Sequence, residues 1–144
     1  MEAKELRIGN LVYGVSDRIE TVVELDQYSI TAYAGKLIES QATFSQEDFS
    51  PIPLTEEWLV KFGFNKKGES RYGFKYNYPM ADWGFTIEPS FKEGKWFFGH
   101  EYYDSGDDNL DYTSLNFCVD LQYVHTLQNI FFALTGEELG LQDV

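Results

Sequence analysis

The chain of 144 residues carries 24 acidic side chains against 11 basic ones, a net charge of −13 at pH 7, and such a balance disfavours direct nucleic-acid binding, which needs clustered Lys and Arg to release counterions. Hydrophobic residues make up 43% and aromatic residues 17%, which excludes an intrinsically disordered composition and suits one compact domain or two very small ones. One Cys excludes an intrachain disulfide and a Cys-rich zinc site, and no apolar run reaches signal-peptide or membrane-span length, so a cytoplasmic protein is expected.

In chain order, "NLVYGV" (10–15), "IETVVEL" (19–25), "YSITAYAG" (28–35) and "ATF" (42–44) read as short strands joined by tight turns. Strands of this length and spacing predict a small, curled, SH3-like barrel over 1–53. "PLTEEWLVKFGF" (53–64) predicts a short helix. Thr55 is placed to cap it through its hydroxyl, Glu56 and Glu57 suit the helix dipole, and Gly63 ends it. Its apolar face is Leu54, Trp58, Leu59 and Phe62.

Four segments with near-strict alternation follow: "RYGFKYNY", "WGFTIEPSF", "KWFFGHEY" and "SLNFCVDLQ". They predict a four-stranded antiparallel meander with one aromatic face, covered by helices. "NKKGESR" (65–71) reads as a polar turn before it. The chain closes on "YVHTLQNIFFALTGEEL" (123–139), a helix stopped by Gly136. At about 100° per residue, Tyr123, Val124, Leu127, Ile130, Phe131 and Leu134 share the core arc. His125, Gln128, Asn129 and Phe132 share a second arc, where a Phe is not explained by the core stripe.

Three blocks, "ELRIGNLVYG" (5–14), "PIPLTEEWLVKFGF" (51–64) and "YVHTLQNIFFALTGEEL" (123–139), resemble those of a family of small uncharacterised proteins from gut anaerobic bacteria, their prophages and mobile elements. The resemblance covers about 41 residues. It implies the same order of small barrel, short helix, meander and closing helix, and a mobile-element setting. It brings no catalytic residues. The acidic stretch around Asp104 to Asp111 departs from it.

Four candidate sites emerge, each with a simpler internal reading. The arc His125, Gln128, Asn129 and Phe132 suits a partner-binding face with Phe132 as anchor; alternatively the helix is buried on both sides and its amides tie down loop backbone. His100, Glu101, Asp104, Asp107, Asp108 and Asp111 could gather a divalent cation, yet their spacing misses the calcium-loop pattern, and a solvated hairpin loop explains them too. The same carboxylates, Glu101, Asp104, Asp107, Asp108 and Asp111, form an acidic patch able to mimic a nucleic-acid backbone, since residues 101–144 hold nine acids and no Lys or Arg. Cys118 with His100 or His125 is a weak nucleophile pair, and an inert thiol is the plainer reading. The aromatic excess around Tyr72, Tyr76, Tyr78, Trp83, Trp96 and Phe98 would be either a stacking platform or core, and we read it as core.

The sequence therefore predicts an α+β fold. A barrel subdomain (1–53) packs on a helix–meander–helix subdomain (54–144), and the two form one cooperative unit. The expected function is a non-enzymatic, acidic protein-interaction module of a phage or mobile element. The alternatives are a nucleic-acid-mimicking inhibitor and a small metal-dependent hydrolase using the His100/Asp-rich loop. No catalytic residue, metal ligand or cofactor is assigned, the partner is a protein, no membrane is involved, and the chain is a monomer or homodimer.

Overall fold

The computed structural model describes residues 1–33, 42–70, 73–77, 85–92, 95–102 and 114–142. The fold is α+β, with two α-helices and antiparallel sheets among the described residues. The chain divides into two compact units: Met1–Pro53 with Tyr123–Leu139, and Leu54–Gln122 with Gly140–Val144. The closing helix thus belongs with the N-terminal strands, a correction to the expected grouping with the meander. Its polar side chains are matched to backbone groups of the N-terminal segment, as described below.

In the first unit, β1 (Leu11–Tyr13), β2 (Ile19–Leu25), β3 (Ser29–Tyr33) and β4 (Ala42–Ser45) form one sheet in consecutive order. All pairs are antiparallel, with Val12 opposite Glu20, Val22 opposite Ala32 and Ile30 opposite Phe44. Side chains two apart share a sheet face, so Ile30 and Ala32 are buried together with Val12, Val22, Ala3, Leu6 and Phe49. A register shift between Val22 and Glu24 interrupts β2, and such a bulge bends its strand and increases the local twist. After a 3-10 turn at Gln46–Asp48, Ser50 returns to β1 by two backbone bonds with Tyr13, of 2.9 and 3.0 Å. Among the described residues β4 makes no ladder with β1, so the sheet is open.

The Val124 N–H donates to Ile52 at 2.9 Å and leads the chain into α2 (Val124–Thr135). Gly136, at φ +74°, ends this helix as expected, its N–H donating to Phe132 at 2.8 Å. The buried arc differs from the expected one. Val124, Leu127 and Phe131 are buried, but so are His125 and Gln128, while Leu134 is 42% exposed and Tyr123 and Ile130 are half-buried. The helix is rolled toward its polar side because that side has backbone partners waiting.

In the second unit, α1 (Glu56–Lys61) buries Trp58 and Leu59, with Leu54, Phe62 and Phe64 buried beside it. Thr55 occupies the N-cap position in extended conformation, but its hydroxyl makes no cap bond, contrary to expectation. Glu57 pairs with Lys61 at 2.7 Å along the helix. Five strands follow in consecutive antiparallel order: β5 (Asn65–Ser70), β6 (Gly73–Asn77), β7 (Phe85–Lys92), β8 (Lys95–Tyr102) and β9 (Ser114–Asp120). The extra strand is β5, where the sequence suggested a turn. It stands at the sheet edge, pairing Asn65 with Asn77 and Lys66 with Tyr76, and its register shifts between Lys67 and Glu69. Charges and a bulge are what edge strands carry to discourage pairing with other chains. No described helix is long and apolar enough to cross a membrane.

Candidate functional site

Residues at i, i+3, i+4 and i+7 of a helix lie on one side, and His125, Gln128, Asn129 and Phe132 follow that spacing on α2. Gln128 is 2% exposed. Its Oε1 accepts from the Leu11 N–H at 2.9 Å, and its Nε2 donates to the carbonyls of Leu139 at 3.3 Å and Gly9 at 3.4 Å. The Asn129 Oδ1 accepts from Asn10 Nδ2 at 3.0 Å, and its Nδ2 donates to the Glu5 carbonyl at 3.0 Å. Asn10 is buried, and its own Oδ1 accepts from the Arg7 N–H at 2.7 Å. The Arg7 guanidinium lies 3.7 Å from the centre of the Phe132 ring and donates to Glu138 at 2.7 Å.

His125 heads this arc. It is 4% exposed, and its ring stacks on Tyr123 at 5.6 Å with an interplanar angle of 8°. Its Nδ1 is buried without a hydrogen-bond partner. Burial pushes the imidazole pKa below its ordinary value, against a weaker upward pull from the Glu5 carboxylate. Gln128, Asn129 and Phe132 therefore meet the protein's own residues 5–11, and His125 lies buried against Tyr123. With His125 and Gln128 covered, these two cannot meet a partner in this fold, which corrects the expectation of a free contact face; Phe132 is matched internally by Arg7.

The other sequence candidates are separated or fall elsewhere. His100 and Glu101 lie on β8, opposite Ile87 and Thr86 on one side and Leu115 and Ser114 on the other. Asp104, Asp107, Asp108 and Asp111 lie outside the described residues. Among the described residues no three His, Cys, Asp or Glu side chains come together as a metal site. Cys118 is on β9, three positions along from Leu115, which His100 faces in register.

A feature that the sequence reading passed over is the turn between β2 and β3. The Asp26 carboxylate accepts from the N–H groups of Tyr28 and Ser29 at 2.7 and 2.8 Å and from the Ser29 hydroxyl at 2.5 Å. The Ser29 hydroxyl first, then the two backbone N–H groups, lower the carboxyl pKa below its ordinary value. This is an Asx turn, legible in "DQYS" as an acid followed two and three residues later by its donors. Tyr28 rides on it, 76% exposed. Beside it lies an open depression of about 450 Å³ lined by Glu2, Ala3, Lys4, Leu25, Asp26 and Gln27. Lys4 and Glu2 pair across its rim at 2.5 Å.

Compared with family models, with curated proteins and with solved structures, the chain finds no match.

Proposed function

We propose that the chain is a non-enzymatic, acidic protein-interaction module that engages a partner protein through the β2–β3 turn. The observation carrying this reading is Tyr28, 76% exposed on a turn that three bonds to Asp26 hold in place. Aromatic residues dominate binding energy at protein interfaces, and a turn already ordered loses little entropy on binding. The N-terminal sheet is read as an SH3-like small barrel. Four consecutive antiparallel strands, the 3-10 turn after β4 and the Ser50–Tyr13 bridge support that reading. A phage or mobile-element origin and a cytoplasmic setting rest on the sequence resemblance and composition alone.

A second reading is a nucleic-acid-mimicking inhibitor. It is favoured by one observation: residues 101–144 hold nine acids and no Lys or Arg. One experiment separates the two. Partners are captured from host lysate at low and moderate salt with the wild type, Tyr28→Ala, and a variant with Asp104, Asp107, Asp108 and Asp111 changed to Asn. The leading reading expects a salt-resistant partner lost with Tyr28→Ala and kept by the Asn variant. A nucleic-acid-binding protein released by salt and lost with the Asn variant would favour mimicry instead. Folded protein that captures nothing would count against both.

A further inference from the structure

We propose that the docking of α2 on the N-terminal segment is an acid-sensitive latch, opened by a proton on His125. The imidazole is 4% exposed, its Nδ1 has no partner, and one ring face is covered by Tyr123. The next three side chains of the same arc hold the N-terminal segment: Gln128 and Asn129 bind Leu11, Gly9, Asn10 and Glu5, and Phe132 carries Arg7. A charge added at the head of that arc has to be solvated, and a buried charge without a partner is expensive. Moving the helix start away from the segment is the direct way to admit water.

The charged groups around the ring do not offer an easy alternative. α2 has no other titratable residue between Val124 and Thr135. On the segment packed against it, Lys4 is paired with Glu2, and Arg7 with Glu138 beyond the end of the helix. Tyr123 brings a phenol and no carboxylate to the ring. Glu137 lies past the end of the helix, its carbonyl accepting from the Thr135 hydroxyl at 3.5 Å. Glu5 is the carboxylate that acts on the ring, and its pull is weaker than the effect of burial.

The sign follows from linkage. The folded imidazole binds its proton less tightly than the unfolded one, so its contribution to stability is complete above the unfolded pKa of about 6.5 and is lost as pH falls toward the folded value. The test is urea unfolding of the wild type and His125→Phe at several pH values between about 7.5 and about 5.5. Phe keeps the ring stack and removes the proton site, and every other titrating group is common to both proteins. The unfolding constant of the wild type, relative to the variant, is expected to rise as pH falls below about 6.5, by at most about tenfold per pH unit for a single proton. Parallel pH profiles would overturn the proposal. Should His125→Phe fail to fold, the wild type decides alone through its His125 ring resonances and the exchange of the Leu11 amide. Protonation of the ring together with loss of Leu11 protection supports the latch. A ring that titrates near about 6.5 while Leu11 stays protected overturns it.

Discussion

Gln128 bonds to three backbone groups on two stretches of chain, and at 2% exposure it does so away from water. Replacing it by Leu keeps much of the volume and leaves the Leu11 N–H without its acceptor, a loss of about 1–3 kcal/mol when the orphaned group stays buried. Asn129 is only half-buried, so water can replace part of what Asn129→Leu removes, and a loss nearer about 1 kcal/mol is expected. Guanidinium midpoints with unchanged slopes check the order, and Asn129→Leu costing as much as Gln128→Leu would contradict it. The polar arc itself was legible from helical spacing alone. What it binds was not, because its hydrogen-bond partners, apart from the Leu139 carbonyl, lie 117 to 124 residues away in sequence. An amide reads the same in a sequence whether it meets a partner protein or the chain's own turn.

At the scale of elements, alternation and turn residues served well where strands have one apolar face. β2 and β8 occupy the predicted spans 19–25 and 95–102. β5 escaped because an edge strand needs no apolar alternation, and Lys-Lys-Gly-Glu reads as a turn unless its partner is known. The two helix stops were plain, since a Gly after an apolar-periodic run signals a left-handed residue. They are not equivalent, however. At Gly136, φ +74°, an added methyl meets nothing within 4 Å, so Gly136→Ala pays only the backbone term of about 1 kcal/mol. At Gly63, φ +88°, the methyl would sit 2.9 Å from Gln142 Cγ, and the Gln142 N–H is anchored to Lys61 at 2.9 Å. Gly63→Ala is therefore expected to lower the thermal midpoint more than Gly136→Ala. Equal shifts would mean that Gln142 gives way freely.

For the whole chain, the first unit is assembled from two segments far apart in sequence, Met1–Pro53 and Tyr123–Leu139. Composition could not disclose this, since a helix following a meander is most simply assigned to the meander. The pairing becomes intelligible only through particular residues: Ile52 accepts from Val124, and Asn10 and Leu11 meet Asn129 and Gln128. A sheet of four short strands with a core of Val12, Val22, Ile30, Ala32, Phe49 and the Ala3–Leu6 turn is small for independent stability. A fragment of residues 1–53 is accordingly expected to show no cooperative thermal transition by circular dichroism. Adding a peptide of residues 123–139 supplies the Gln128, Asn129 and Phe132 contacts. It should restore a transition whose midpoint climbs with peptide concentration, as mass action requires of anything that binds only the folded form. Gln128→Leu in the peptide should weaken that rise, which ties the restoration to the bonds rather than to apolar contact in general. A 1–53 fragment that melts cooperatively by itself would show instead that the strands carry their own stability and that α2 is an addition to a finished fold.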